Sequence, residues 1–194
     1  GSGTNVFRLV NREGDHLSGL AVDVLAQDVV VRSSALWAEI HRAAIEESLR
    51  TVWPAGRLLW QQEADSLMQD GFKVHFGREP EVEDSDASSQ ITVFEAGVKY
   101  LVSPGLGKKT GHFADQRENR SRLREMVTAM IKARAAATSP LQVLDLFCYS
   151  GGFAVNAALG GCGGSSGISV TAVDMDAAAV EQARQTAVVN EVEQ

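Results

Sequence analysis

Two aspartates and a pair of glycines in the second half of the sequence have the spacing of a ligand site. Asp145 lies inside the apolar run 142–147, and the turn that follows contains Gly151 and Gly152. A buried strand that ends in a glycine turn presents backbone N–H groups at the edge where open α/β sheets bind ligands. Glycine also lets a ligand approach the backbone closely. Asp174 ends the next apolar run, where a carboxylate can accept hydrogen bonds from both hydroxyls of a ribose.

The turn itself narrows the choice of ligand. A nicotinamide dinucleotide is usually bound by G-x-G-x-x-G, and the turn 148–152 reads Cys-Tyr-Ser-Gly-Gly, which lacks that spacing. The remaining alternative is an ordinary βα turn that binds nothing. An acidic residue inside a core strand argues against it, because a buried carboxylate needs a partner such as a ligand ammonium or the N–H groups of the turn.

The elements that must position these residues predict an α/β protein. The first half reads as an α+β domain, with a strand at 7–10, a hairpin of Leu20–Leu25 and 29–32, a helix at 35–52, a strand at 57–62, and a hairpin of 91–94 and Val98–Val102. Turn residues separate the strands, and apolar spacing near 3.6 residues marks the helix.

The second half reads as the start of a doubly wound sheet. A long helix at 115–135 is predicted to place Leu123, Met126, Val127 and Met130 on one face. After it, strand 142–147, helix 153–159, strand 170–174 and helix Ala177–Val189 alternate as a βαβα unit. Short continuous apolar runs are typical of parallel strands buried on both faces, and Asp176 can cap the last helix.

Composition limits the class of protein. The 194 residues are 44% hydrophobic, as in globular proteins, with two cysteines and no apolar run long enough to span a bilayer. We therefore expect neither a disulfide scaffold nor a zinc site. We assign 1–3 to a tag remnant, 4–105 to the α+β domain and 106–194 to the second domain.

Charge is distributed unevenly along the chain. The net charge is −7, yet the stretch 107–134 contains eight basic and three acidic residues. Basic side chains in one region can contact the phosphates of a nucleic acid. Four arginines of the long helix are candidates, with a solvated helix face as the alternative: Arg117, Arg120, Arg122 and Arg124.

Three segments resemble one family. The residues 145–153, DLFCYSGGF, look like the D-x-F-x-x-x-G-G form of the first motif of class I methyltransferases. The stretch 109–120, KTGHFADQRENR, is similar to the K-T-G-x-F-x-D-Q-R-x-N-R element of the bacterial 23S ribosomal RNA large-subunit (cytosine-C5)-methyltransferase family. The opening 7–23 also resembles the start of that family's central domain.

The resemblance implies a fold, a cofactor and a partner. It implies an N-terminal α+β domain on the RNA side, followed by the first βαβα half of a Rossmann-like class I methyltransferase domain. The cofactor would be S-adenosylmethionine and the partner RNA, with ribosomal RNA as the expected target. The residues it places around the cofactor are Lys109, Phe113, Gln116, Arg117, Asp145, Phe147, Ser150, Gly151, Gly152, Asp174 and Met175.

The chain also departs from the family pattern. It ends at Gln194, after two of the strands that such a sheet contains, so we expect a truncated chain that lacks the catalytic half. Neither Cys148 nor Cys162 is assigned a catalytic role, and no metal ligands are assigned. An incomplete sheet predicts self-association or chain exchange. The location expected is cytoplasmic, or an organelle in a eukaryotic source.

Two other functions stay open from the sequence. A non-catalytic RNA-binding or assembly module would use residues 35–102 and the basic helix. A methyltransferase of the same fold could instead act on a substrate other than RNA.

Overall fold

The chain divides into two compact units. The computed structural model describes residues 3–54, 56–72, 90–104, 110–134, 138–162 and 167–192. The N-terminal unit comprises Thr4–Val93 and Val102–Ala114. The C-terminal unit comprises Phe94–Leu101 and Asp115–Gln194, together with the first three residues. The predicted domain boundary at 105/106 lies outside the described residues and stays a prediction.

The N-terminal unit is built on a four-stranded sheet. Its elements are β1 (Val6–Asn11), β2 (Leu20–Leu25), β3 (Asp28–Ser33), α1 (Leu36–Ile40), α2 (Arg42–Val52), β4 (Leu58–Gln62) and α3 (Ala64–Gln69). Strands β1, β2 and β3 are antiparallel, and β4 adds to β3 in parallel. A parallel pair needs a crossover connection, which α1 and α2 provide. The predicted hairpin of β2 and β3 is therefore confirmed.

Valines of the central strands form the core of this unit. Val22, Val24, Val29 and Val31 are fully or almost fully buried and pack with Trp60 of β4. β-branched residues suit this position, because their stiff side chains pack well on a pleated surface.

The helical stretch predicted over 35–52 is present but is divided into two helices. The chain forms α1 and α2, and His41 between them has φ −100° and ψ 14°, outside helical geometry. Apolar residues continue at near-helical spacing through this break, so the pattern alone did not reveal it. Helix α3, with six residues, was not predicted because it is too short to show a period.

Strands β5 (Ile91–Glu95) and β6 (Val98–Val102) form the second predicted hairpin, as a two-stranded sheet. Its segment Phe94–Leu101 belongs to the C-terminal unit. The other elements of that unit are α4 (Arg117–Ala133), β7 (Leu141–Leu146), α5 (Gly152–Gly161), β8 (Ile168–Val173) and α6 (Ala177–Val189). Strands β7 and β8 are parallel, with Asp145 opposite Ala172. The predicted βαβα order is confirmed.

Helix α4 buries only part of the face that was predicted, since Leu123 and Val127 lie in its buried stripe and the two methionines do not. Val127 and Ile131 are buried and pack with Leu123 against β7, whereas Met126 and Met130 are exposed. The buried positions follow one another at four-residue steps, as one stripe of a helix does. The predicted face combined residues from two such stripes, which is why its methionines were misplaced.

Strand β7 is not buried on both faces, contrary to the prediction. Leu144 and Leu146 are 60% and 58% exposed. Leu141 and Val143 point to the opposite face, where they pack with α4 and α5. Side chains alternate between the two faces of a strand, so an uninterrupted apolar run still gives one exposed apolar row.

No helix among the described residues is long and apolar enough to cross a bilayer.

Candidate functional site

The turn between β7 and α5 uses backbone conformations that side chains rarely adopt. Phe147, Tyr149 and Gly151 have φ values of 62°, 48° and 77°. For the two residues with side chains this costs on the order of 1–3 kcal/mol each and persists only where neighbouring structure holds it. The Gly151 N–H donates to the Cys148 carbonyl over 2.9 Å, and the Cys148 N–H donates to the Val173 carbonyl over 3.0 Å. Strain of this kind clusters at ligand-binding turns.

The Asp174 carboxylate is held beside this turn by two backbone N–H groups. Its Oδ2 accepts from the Tyr149 N–H over 2.8 Å, and its Oδ1 accepts from the Asp176 N–H over 3.0 Å. These two bonds fix the orientation of the carboxylate at the end of β8. The carboxylate thus lies at the carboxyl end of a parallel strand, the edge at which open α/β sheets bind ligands.

Asp145 lies at the end of β7 and caps the helix that follows the turn. Its Oδ2 accepts from the Ala154 N–H over 3.0 Å, near the N-terminus of α5. Partial burial raises the pKa of this carboxyl above its ordinary value of 3.8, and the negative charge of Asp174 raises it further, while the Ala154 hydrogen bond lowers it. A partly buried carboxylate with a second carboxylate nearby favours a cationic partner.

The two glycines have a packing role as well as a conformational one. A Cβ on Gly151 would lie 2.8 Å from the Cβ of Ala183 on α6. A Cβ on Gly152 would lie 3.1 Å from Cδ of Arg120 on α4. Position 151 therefore disfavours any side chain, through its positive φ and its contact with α6, and a side chain at position 152 would require Arg120 to shift.

Three further predicted site residues lie at the same edge of the sheet, in the segments that follow β7 and β8. Ser150 is buried in the turn. Phe147 and Met175 are 86% and 97% exposed, large apolar side chains at the carboxyl ends of adjacent strands. Single exposed apolar residues are common, but two at the end of a parallel sheet suit the apolar face of a base.

Gln116 and Arg117 begin helix α4. The Gln116 Oε1 accepts from the Asn119 side chain over 2.9 Å, and Gln116 occupies the position before the first helical residue. The Arg117 Nε lies 3.7 Å from an oxygen of Glu95. A guanidinium is a fork suited to a carboxylate ligand, so this geometry is compatible with the predicted role.

The last two predicted site residues are Lys109 and Phe113. Lys109 falls outside the described residues. Phe113 is half-buried and belongs to the N-terminal unit. The roles assigned to both stay predictions.

Sequence reasoning missed a buried carboxylate and misjudged its partner. Glu95 and Arg120 are 2% and 4% exposed, and Nε and Nη2 of Arg120 each donate to a Glu95 oxygen over 2.8 Å. Arg120 is therefore neither a phosphate contact nor part of a solvated face. The signal for Glu95 was the alternation of Ile91, Val93 and Glu95, which places all three on one face of a strand.

The two cysteines differ in environment. Cys148 is buried, and burial together with the charges of Asp145 and Asp174 raises the pKa of its thiol. Cys162 is exposed. A buried thiol beside two carboxylates is a poor nucleophile, because the thiolate is the reactive form.

Comparisons with known proteins show relatives over almost the whole chain. No protein-family profile matches it. Over 188 residues, 97% of this chain, it is 31% identical to the ribosomal RNA large subunit methyltransferase I of Aeromonas salmonicida. The alignment covers 43% of that protein, and a second curated relative, from Escherichia coli, is covered to the same extent. The chain thus spans under half the length of the curated relatives it matches.

Solved structures share the fold of the chain. A structure from Streptococcus mutans described as a SAM-dependent methyltransferase has a TM-score of 0.70 at 23% identity and covers 100% of this chain and 45% of its own. A methyltransferase structure described as complexed with SAH has a TM-score of 0.69, also at 23% identity, over 100% of this chain and 44% of its own. The chain is therefore an α/β protein with the fold of these structures, including the first part of their Rossmann-like domain.

Proposed function

We propose that the C-terminal unit binds S-adenosylmethionine and that the whole protein is an S-adenosylmethionine-dependent RNA methyltransferase. The observation that carries the proposal is the carboxylate of Asp174, oriented by the N–H groups of Tyr149 and Asp176 at the end of β8, beside the glycine turn. A carboxylate in this place is suited to the two hydroxyls of a ribose.

Four other predicted site residues fit the remaining parts of the cofactor. Asp145 supplies a carboxylate for the ammonium group. Its pKa is raised because partial burial removes water from the charged carboxylate. Arg117 supplies a guanidinium for the cofactor carboxylate. Phe147 and Met175 supply apolar surface for the adenine. When bound, the cofactor would contribute an electrophilic methyl group on a sulfonium.

RNA as the substrate class is supported by several observations. The curated relatives are named for ribosomal RNA methylation. The segments 7–23 and 109–120 resemble a family that acts on ribosomal RNA. Arg122 and Lys132 are exposed on α4 and are available for phosphates. A substrate other than RNA is the alternative within the same reaction class.

Transfer to C5 of cytosine is the finer form of the proposal. It needs a thiolate that adds to C6, so that C5 becomes nucleophilic and takes the methyl group. We assign that role to neither Cys148 nor Cys162, so this chain is expected to bind cofactor without transferring its methyl group to C5. The cytoplasmic or organellar location and the self-association expected from the sequence stay predictions.

Isothermal titration calorimetry tests the proposal. S-adenosylhomocysteine titrated into the folded chain should bind at one site, and S-adenosylmethionine should compete for it. NAD is the control ligand and should not bind. A chain that is folded by circular dichroism, ignores both adenosyl ligands and still binds ribosomal RNA would overturn the proposal in favour of the non-catalytic module.

A further inference from the structure

A buried polar cluster lies beneath the turn, within the C-terminal unit. It consists of Glu95, Tyr100, Arg120 and Asn156, all buried. The Glu95 carboxylate and the Arg120 guanidinium form two parallel hydrogen bonds of 2.8 Å. Paired bonds of this kind are the strong, geometrically specific form of an ion pair.

The cluster reaches the glycine turn through its other two members. The guanidinium carbon of Arg120 lies 5.7 Å from the centre of the Tyr100 ring. The Asn156 amide donates to the Tyr100 hydroxyl over 2.6 Å and to the Gly152 carbonyl over 2.8 Å. The position of Gly152 is thus linked to the cluster by hydrogen bonds and by its close approach to Arg120.

The cluster also reaches Arg117. This residue precedes Arg120 by three positions on α4, so both side chains lie on neighbouring parts of one helix face. The Nε atom of Arg117 lies 3.7 Å from Oε2 of Glu95. Two guanidinium groups thus share one carboxylate, and the three side chains carry a net positive charge suited to an incoming anion.

Stability alone is a weak reason for such a cluster. The free-energy cost of removing two charges from water often exceeds the gain from their mutual attraction. Apolar residues of similar volume can therefore replace a buried ion pair without loss of stability. A carboxylate that must orient a second arginine cannot be replaced in this way. Because Arg120 neutralises it, Glu95 can hold Arg117 without repelling a negatively charged ligand.

We propose that Glu95 is a positioning residue of the cofactor site, which orients Arg117 toward the carboxylate of the bound S-adenosylmethionine. The inference rests on the proposed function, and it goes beyond that proposal by assigning a role to a residue outside the turn. The positioning role predicts that changing Glu95 lowers the affinity only for ligands that carry the amino-acid group.

Two ligands separate this role from a general effect on folding. S-adenosylhomocysteine has the carboxylate, and 5′-methylthioadenosine lacks the whole amino-acid portion. Both are titrated calorimetrically into the unchanged chain and into Glu95→Gln, with thermal unfolding measured in parallel. Glu181→Gln is the matched control, because Glu181 forms an exposed ion pair with Arg184 on α6.

Glu95→Gln should bind S-adenosylhomocysteine about tenfold more weakly, as expected for one weakened charge-assisted contact. Its affinity for 5′-methylthioadenosine should stay within about twofold of that of the unchanged chain, a smaller change than the loss of one such contact causes. Glu181→Gln should match the unchanged chain with both ligands. An equal loss for both ligands, or no loss for either, would overturn the positioning role. If the unchanged chain binds neither ligand, the proposed function itself fails.

A second set of variants covers the case in which Glu95→Gln does not fold. The double change Glu95→Gln with Arg120→Met removes both buried charges and should show the same selective loss. In an Arg117→Ala background the same double change should have no further effect on S-adenosylhomocysteine, because the residue to be positioned is gone. Additive losses in that background would contradict the inference.

Discussion

The backbone N–H of Tyr149 donates to Oδ2 of Asp174 over 2.8 Å, and this bond joins the glycine turn to the end of the neighbouring strand. Tyr149 makes the bond from a left-handed conformation, with φ 48°. The strained backbone conformation of Tyr149 thus places the N–H group that orients the Asp174 carboxylate. A ligand that engages Asp174 would also stabilise the turn.

Asp174→Asn should weaken the binding of S-adenosylhomocysteine by roughly ten- to hundredfold. The amide oxygen can still accept from Tyr149, but the amide nitrogen cannot accept from Asp176. The charge is also lost, and a hydrogen bond to a charged group is worth about 1.5–3 kcal/mol. Calorimetry measures the affinity, and circular dichroism checks the fold. The exposed Glu181→Gln should change nothing, and an unaltered affinity in Asp174→Asn would remove Asp174 from the site.

Gly151→Ala should destabilise the chain by about 2–4 kcal/mol, from strain at positive φ and from overpacking. The new Cβ would lie 2.8 Å from the Cβ of Ala183. Gly97→Ala is a matched control, since Gly97 has φ 80° and a Cβ added there would meet nothing within 4 Å, and it should cost about 1 kcal/mol. Urea unfolding measures both values. Equal losses would show that the contact with α6 adds nothing.

Local patterns in the sequence predicted most elements of the fold. Period-2 and turn signals located the β2–β3 hairpin, and the bounds predicted for α6, Ala177–Val189, agree with the structure. The break at His41 was missed because apolar spacing continues through it. The exposure of Leu144 on β7 was missed because a continuous apolar run does not show whether one or both faces of the strand are buried.

The candidate site was predictable where it depends on neighbours in sequence. The places of Asp145 and Gly151 in the site could be predicted from a single strand and the turn that follows it. The pairing of Glu95 with Arg120 joins residues 25 positions apart. An arginine on an amphipathic helix usually reads as a surface residue, and only tertiary packing reveals that this one is buried.

Asp145→Asn should raise the thermal midpoint near neutral pH and lower cofactor affinity. Burial raises the pKa of Asp145 above 3.8, so the folded state binds this proton more tightly than the unfolded state does. By linkage, the stability contributed by this group falls as pH rises from 3.8 through the raised pKa. The asparagine carries no charge and escapes that loss, while its oxygen can keep the hydrogen bond from Ala154.

Thermal unfolding of both proteins over a series of pH values checks the sign. The difference in midpoint between Asp145→Asn and the unchanged chain should grow as pH rises through this window and then level off. The affinity of the unchanged chain for S-adenosylhomocysteine should fall as pH drops through it, since the ammonium then faces a neutral carboxyl. A midpoint difference that does not vary with pH would contradict the assignment of the raised pKa to Asp145.

Alkylation by iodoacetamide near pH 8 should modify Cys162 first and Cys148 at least about tenfold more slowly, since thiolate content and access set the rate. Cys148 is 6% exposed, and burial raises the pKa of its thiol. Mass spectrometry of the folded chain follows each site, and the urea-unfolded chain is the control in which the two rates converge. Rapid labelling of Cys148 in the folded chain would show an activated thiol and would make it a candidate for the thiolate that adds to C6 of cytosine. Slow labelling, with cofactor binding retained in Cys148→Ala, would leave this cysteine as a packing residue of the turn.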